Sequence, residues 1–276
     1  MSRVSKIWLA APALCAAVCL PQVASAACAF NNSAVGEPSL QTVFTDMFGA
    51  AAPSATSACL ADAQDGLWHT YNSVGSATIL VEIAGNQAGN SLGIYDSTST
   101  LNSLQIFSGP ASAGARAFIT VSGSAGNYHV MVDRFDANGY AGSSSATFAT
   151  SSFGFYLQQP AGVGAERFFS ETFRNAGRNG DPASKDYMYA YQGNGATFRN
   201  GSQYAPDIVE GTKFDGTDAI LAWEDLRNGS DGDFQDMVVL LRDITPAPAP
   251  VPLPAALWLF APALAGLRLW SRRRPA

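Results

Sequence analysis

Between Gly66 and Arg242 the apolar residues arrive in short runs separated by Gly, Ser and Asn, a spacing that suits strands and is too brief for helices. Strands are predicted near Gly66–Tyr71, Thr78–Ile83, Ser91–Tyr95, Leu104–Phe107, Ala117–Val121 and Tyr128–Val132. Others are predicted near Ala146–Thr150, Phe153–Leu157, Arg167–Phe173, Tyr187–Tyr191, Ala219–Trp223 and Met237–Arg242. Phe153, Phe155 and Leu157 alternate with other residues at the two-residue period that places them on one face. One helix is predicted ahead of the strands, over Ser39–Phe48, with Leu40, Val43, Phe44, Met47 and Phe48 on one side and Ser39 as its cap. The pattern predicts an all-β fold, a jelly-roll-like β-sandwich with a short N-terminal helix. No heptad, fixed repeat or βαβ alternation is visible.

The two ends are built differently. Arg3 and Lys6, the apolar run Ile7–Leu20 and Ala24-Ser25-Ala26 make a cleavable signal peptide over residues 1–26, so the mature chain is expected to begin at Ala27. The predicted ectodomain covers residues 27–244, and a Pro/Ala spacer covers 245–250. The sorting segment, 251–274, contains an apolar stretch over 255–270 and ends in Arg272, Arg273 and Arg274. Val251–Trp270 would reach about 30 Å as a helix, the thickness of one bilayer core. A C-terminal transmembrane helix is therefore expected, with its basic end cytoplasmic and the domain outside.

This tail resembles the exosortase sorting signals of Gram-negative bacteria, in the variant that begins Val-Pro-Leu-Pro-Ala, here Val251, Pro252, Leu253, Pro254 and Ala255. The resemblance implies export by the secretion machinery and signal peptidase, then transient anchoring in the inner membrane. An exosortase-type membrane protease would recognise the motif and deliver the protein to the cell surface or extracellular matrix.

Cys15 and Cys19 leave with the signal peptide, and the remaining pair, Cys28 and Cys59, is expected to form a disulfide in an oxidising compartment. Closing a loop of about thirty residues would stabilise the domain by roughly 3 kcal/mol. His69 and His129 add too few soft donors for a zinc site. All 22 acids lie between Glu37 and Asp243, against ten bases in the ectodomain, a net charge of −12. That surface excludes nucleic acid and anionic membrane as partners and favours divalent cations.

The acids concentrate late in the domain. Glu224 and Asp225 follow one apolar run, and Asp231, Asp233 and Asp236 surround a Gly-bearing turn before the next. Carboxylates this crowded repel one another, and calcium, which takes six to eight oxygens, offsets the repulsion. The spacing does not follow the EF-hand loop, so these five residues are candidate calcium ligands by donor density alone. Ordinary turn chemistry, with Asp side chains accepting from backbone amides, is the competing reading. Ala222-Trp223-Glu224-Asp225-Leu226 and Gly229–Val238 also resemble an exported domain of unknown function of the DUF4114 type, covering about 187–244. That resemblance implies an exported β domain with calcium binding and names no reaction; Gln235 stands where the pattern usually has Asn.

No Gly-x-Ser-x-Gly elbow, phosphate loop or His-Glu-x-x-His is present, and no carboxylate pair separates itself from the turn cluster, so an enzyme is not expected. The reading is an exported, non-enzymatic surface or matrix protein. Its alternatives are a carbohydrate (exopolysaccharide)-binding module and a secreted glycoside hydrolase. For the first, Tyr187, Tyr189 and Tyr191 share a strand face and form a candidate glycan platform, with a core face of the sandwich as the opposing reading.

Overall fold

The computed structural model describes residue 28 and residues 37–82, 89–109, 111–160, 165–175, 185–206, 208–226 and 232–248. Helix α1 spans Leu40–Phe48: the Ser39 hydroxyl accepts from the Thr42 amide at 3.2 Å, and Gly49 ends it at φ 61°. A second, one-turn helix α2 spans Asp62–Asp65.

The remainder is β. The strands are β1 (Trp68–Thr70), β2 (Val74–Glu82), β3 (Ser91–Asp96), β4 (Ser99–Phe107), β5 (Arg116–Ser124), β6 (Asn127–Asp136), β7 (Gly139–Phe148) and β8 (Phe153–Gln158). They continue with β9 (Arg167–Phe169), β10 (Met188–Gln192), β11 (Ala196–Thr197), β12 (Lys213–Phe214), β13 (Ala219–Trp223), β14 (Met237–Arg242) and β15 (Ile244–Pro246). One sheet runs β15-β1-β8-β3-β4 with β9 added beside β8. The other runs β10-β13-β14-β2-β5-β6-β7, and β11 pairs with β12 apart from both.

The two sheets bury one shared core. Trp68, Ile94, Phe153 and Phe155 from the first sheet meet Ile79, Ile119, Val130, Leu221 and Val239 from the second. A second core forms on the other face of the larger sheet, where α1 packs on Leu80, Ile220, Ala222, Val238 and Leu240. Phe44 meets Tyr191 edge-on at 4.8 Å, and Phe48 stacks on Phe214 at 5.3 Å. β13 and β14 are thus covered on both sides, which is why Ala219–Trp223 and Met237–Leu241 read as unbroken apolar runs. Cys28 and Cys59 form a disulfide with Cα atoms 6.2 Å apart. Cys59 also bridges to Tyr191 on β10, so the bond fastens Cys28 to the edge of the larger sheet.

β3 and β8 carry a reciprocal pairing. Gly93 lies opposite Tyr156 and Tyr95 opposite Gly154, and each ring covers the facing glycine. A Cβ on Gly154 would sit 2.1 Å from the Tyr95 ring, and one on Gly93 would sit 2.3 Å from Tyr156. Aromatic cover of this kind compensates the packing a glycine withholds from a strand.

Three expectations need correction. Among the described residues no helix is long and apolar enough to cross a membrane, and the expected helix over 255–270 lies outside them. The fold of the described residues thus contains no membrane helix and no anchor of the kind expected. The strand expected over Arg167–Phe173 stops at Phe169, and Thr172–Asn175 turn into a 3₁₀ helix. The spacer expected from residue 245 begins later, because Thr245 and Pro246 pair with β1. The signal peptide, residues 1–26, also lies outside the described residues.

α2 gathers a set of acids with Asp186. Asp65 is 1 % exposed and neither carboxylate oxygen has a hydrogen-bond partner. Burial, then the nearby Asp62 charge, pushes Asp186 up to about 7, while the Thr172 hydroxyl donates to it at 2.9 Å and opposes the shift. A carboxyl raised in the folded state holds a proton that the unfolded chain releases. Its stabilising effect is complete below the unfolded value and is lost as pH rises through about 7. In saturating calcium, melting temperature is expected to fall from about pH 5 to about pH 8, and to fall less in Asp186→Asn. Equal slopes in the two proteins would remove Asp186 as the cause.

Candidate metal centre

β13 and β14 pair in register from Ala219↔Leu241 to Trp223↔Met237, so the segment between them leaves and re-enters the sheet at one point. The acids just beyond Trp223 and just before Met237 are thereby held together. Glu224, Asp233 and Asp236 are 0, 2 and 6 % exposed. One carboxylate oxygen from each lies within 4.8 Å of the others. Glu224 accepts from the Leu226 amide at 2.9 Å through one oxygen and from the Gly232 amide at 3.0 Å through the other. Asp236 accepts from the Asp225 amide at 2.7 Å. Gly232 and Phe234 have φ of 69° and 56°, the left-handed turns that fold the segment back. Phe234 is held in that conformation by packing its ring 4.2 Å from Tyr189.

Distant segments close the site. Asn90, immediately before β3, donates to the Asp225 carboxylate at 2.6 Å, and the Gln159 amide donates to the Asp225 carbonyl. Gln235 donates to Asp233 at 2.7 Å and to Glu37 at 2.9 Å. Both amides leave an oxygen over: Asn90 Oδ1 and Gln235 Oε1 are buried without a hydrogen-bond partner, on side chains that are 0 % exposed.

The electrostatics are those of a site short of positive charge. Burial first, then the Asp225, Glu224 and Asp233 charges, push Asp236 up to about 10, against the Asp225 amide, which lowers it. Without a cation the group keeps its proton at neutral pH. With one, three carboxylates face a common centre from which water is largely excluded. Every donor is oxygen, which selects a hard divalent cation over one that prefers nitrogen or sulfur. The cluster Glu224, Asp233 and Asp236 can coordinate a divalent metal.

Of the five acids expected from the sequence, the structure brings these three together. Asp225 is buried beside them with its carboxylate engaged by Asn90, and Asp231 lies outside the described residues. Asn90, Gln159 and Glu37 carried no local signal, because each meets the loop from far along the chain. Gln235, which in the sequence is only a departure from a pattern, ties Asp233 to Glu37. Tyr187 and Tyr191 are 0 % exposed and Tyr189 is 9 % exposed. Tyr187, just before β10, belongs to the shared core and the other two to the second core, so the three do not share one face and none offers an open ring to a glycan. The sorting motif Val251–Ala255 lies outside the described residues.

No family model, curated protein or solved structure matches this chain. The labels that the sequence suggested, a PEP-type or Val-Pro-Leu-Pro-Ala sorting domain and a DUF4114 domain, are corrected accordingly and are not applied to it.

Proposed function

We propose that this chain is an exported, non-enzymatic β-sandwich protein whose late loop is fastened by one calcium ion. The observation that carries the reading is the convergence of Glu224, Asp233 and Asp236 within 4.8 Å of one another in a buried position. Two buried amide oxygens beside them, on Asn90 and Gln235, lack a donor and are of the type that completes a calcium shell. Calcium is favoured over magnesium because magnesium keeps several of its waters, which a site closed by Phe234, Gln235 and Asn90 does not accommodate. The Cys28–Cys59 disulfide supports maturation in an oxidising compartment.

Equilibrium dialysis of the metal-stripped protein against calcium tests the reading. One ion is expected to bind per chain, and binding is expected to disappear in Asp233→Ala and Asp236→Ala, with the fold of each variant checked by far-UV circular dichroism. Retention of calcium by both folded variants would refute it.

A further inference from the structure

A second feature of the surface stands apart from the acidic loop. A cleft of about 640 Å³ is lined by Asp62, Gln64, Ser97, Glu171, Thr172 and Phe173, among others. That volume suits a ligand of a few rings. Phe173 is 64 % exposed, an unusual position for a large apolar ring. The ring is nevertheless held: the Arg174 guanidinium lies 5.0 Å from its centroid. Arg174 is fixed in turn by the Ser97 carbonyl at 2.9 Å and by an ion pair with Glu171. Glu171 also accepts from the Tyr95 hydroxyl at 2.8 Å. The cleft therefore presents an exposed aromatic ring whose support is ordered before any ligand arrives, which lowers the entropy that binding must overcome.

Its polar chemistry is one-sided. The lining carries the carboxylates of Asp62, which is exposed, and Glu171, and no cationic side chain among its described residues, so acceptors predominate and a ligand rich in donors is favoured. The acids Asp62 and Glu171 on the lining, with Asp186 bonded to Thr172, repel anions. A flat ligand with an apolar C–H face and many hydroxyl donors, carrying no negative charge, meets all of these conditions.

We propose that this cleft binds a neutral saccharide, with one pyranose ring stacked on Phe173 and its hydroxyls donating to the exposed Asp62 carboxylate. The stacking contact places the sugar and the carboxylates of the lining select a donor-rich ligand. The site is separate from Tyr187, Tyr189 and Tyr191 and independent of the metal centre.

The test is isothermal titration of the full-length, disulfide-bonded protein in calcium-containing buffer. Cello-, manno- and xylo-oligosaccharides serve as neutral probes, chitosan oligomers as a cationic probe and hyaluronan as an anionic one. At least one neutral series is expected to bind. Phe173→Ala is expected to weaken that binding by about tenfold or more at an unchanged melting temperature, because the ring is exposed. Asp62→Ala is expected to weaken it as well. Absence of binding by all three neutral series would overturn the proposal, and so would undiminished binding by Phe173→Ala. Binding of chitosan alone would overturn it in favour of an ammonium ligand.

Discussion

Chelation of divalent cations lowers the expected melting temperature of this protein by about 5–10 °C, and added calcium restores it. The size follows from linkage: a ligand at a hundred times its dissociation constant stabilises the folded state by about 2.7 kcal/mol. In a domain of this length each kcal/mol moves the midpoint by roughly 2–4 °C. The stripped site leaves Glu224, Asp233 and Asp236 facing one another in a buried space, so part of the loss is repulsion that the ion had balanced. Asp233→Ala is expected to melt at the same temperature with calcium and with chelator. Magnesium is expected to restore less than calcium at equal concentration. Scanning calorimetry reads all of these, and identical midpoints for the wild-type protein in calcium and in chelator would leave the loop held by its hydrogen bonds alone.

Trp68→Ala is expected to be the most damaging single change in the shared core. Trp68 is 0 % exposed and its indole N–H donates to the Asp65 carbonyl at 2.7 Å. It meets Phe155 edge-on at 6.0 Å, and its strand stands between β15 and β8. Truncating a buried Trp removes its transfer free energy and leaves a cavity that a sandwich fills poorly, about 3–5 kcal/mol in all. The expected fall in melting temperature is about 6–20 °C, with a lower urea midpoint. Trp68→Phe retains most of the packing and is expected to lose less. A loss below about 1 kcal/mol in Trp68→Ala would show that the sheets do not close around this side chain.

The sequence was most readable where both faces of a strand are apolar. β13 and β14 have the bounds expected from Ala219–Trp223 and Met237–Arg242, because burial on both sides leaves no polar interruption. β7 shows the opposite case. Only its last residues were anticipated, since Gly139–Ala146 is mostly Gly, Ser and Ala and lies at the edge of its sheet. Its strand conformation is set by pairing with β6, a tertiary cause that composition does not carry. β15 was hidden by Pro246, which reads as linker but is tolerated at an edge that needs no further N–H. In the tyrosine strand the two-residue period was visible, yet the burial of both faces depends on α1 and the facing sheet. The metal centre was half legible: its acids are close in sequence, whereas Asn90, Gln159 and Glu37 reach it only through the fold.

β1 and β15 make a clasp between the two ends of the sandwich. Trp68 pairs with Pro246 and His69 with Thr245, the latter two 176 residues apart. Contacts this remote form late, since the intervening chain must be drawn in first. A polypeptide that emerges vectorially from a narrow channel cannot finish this domain until its final strand has cleared the exit. Until then β1 waits with an open edge, a template for a second copy of the same segment. Delivery of β15 is thus a condition of closing this edge, and a truncation before Ile244 is expected to leave it open to strand exchange between neighbours.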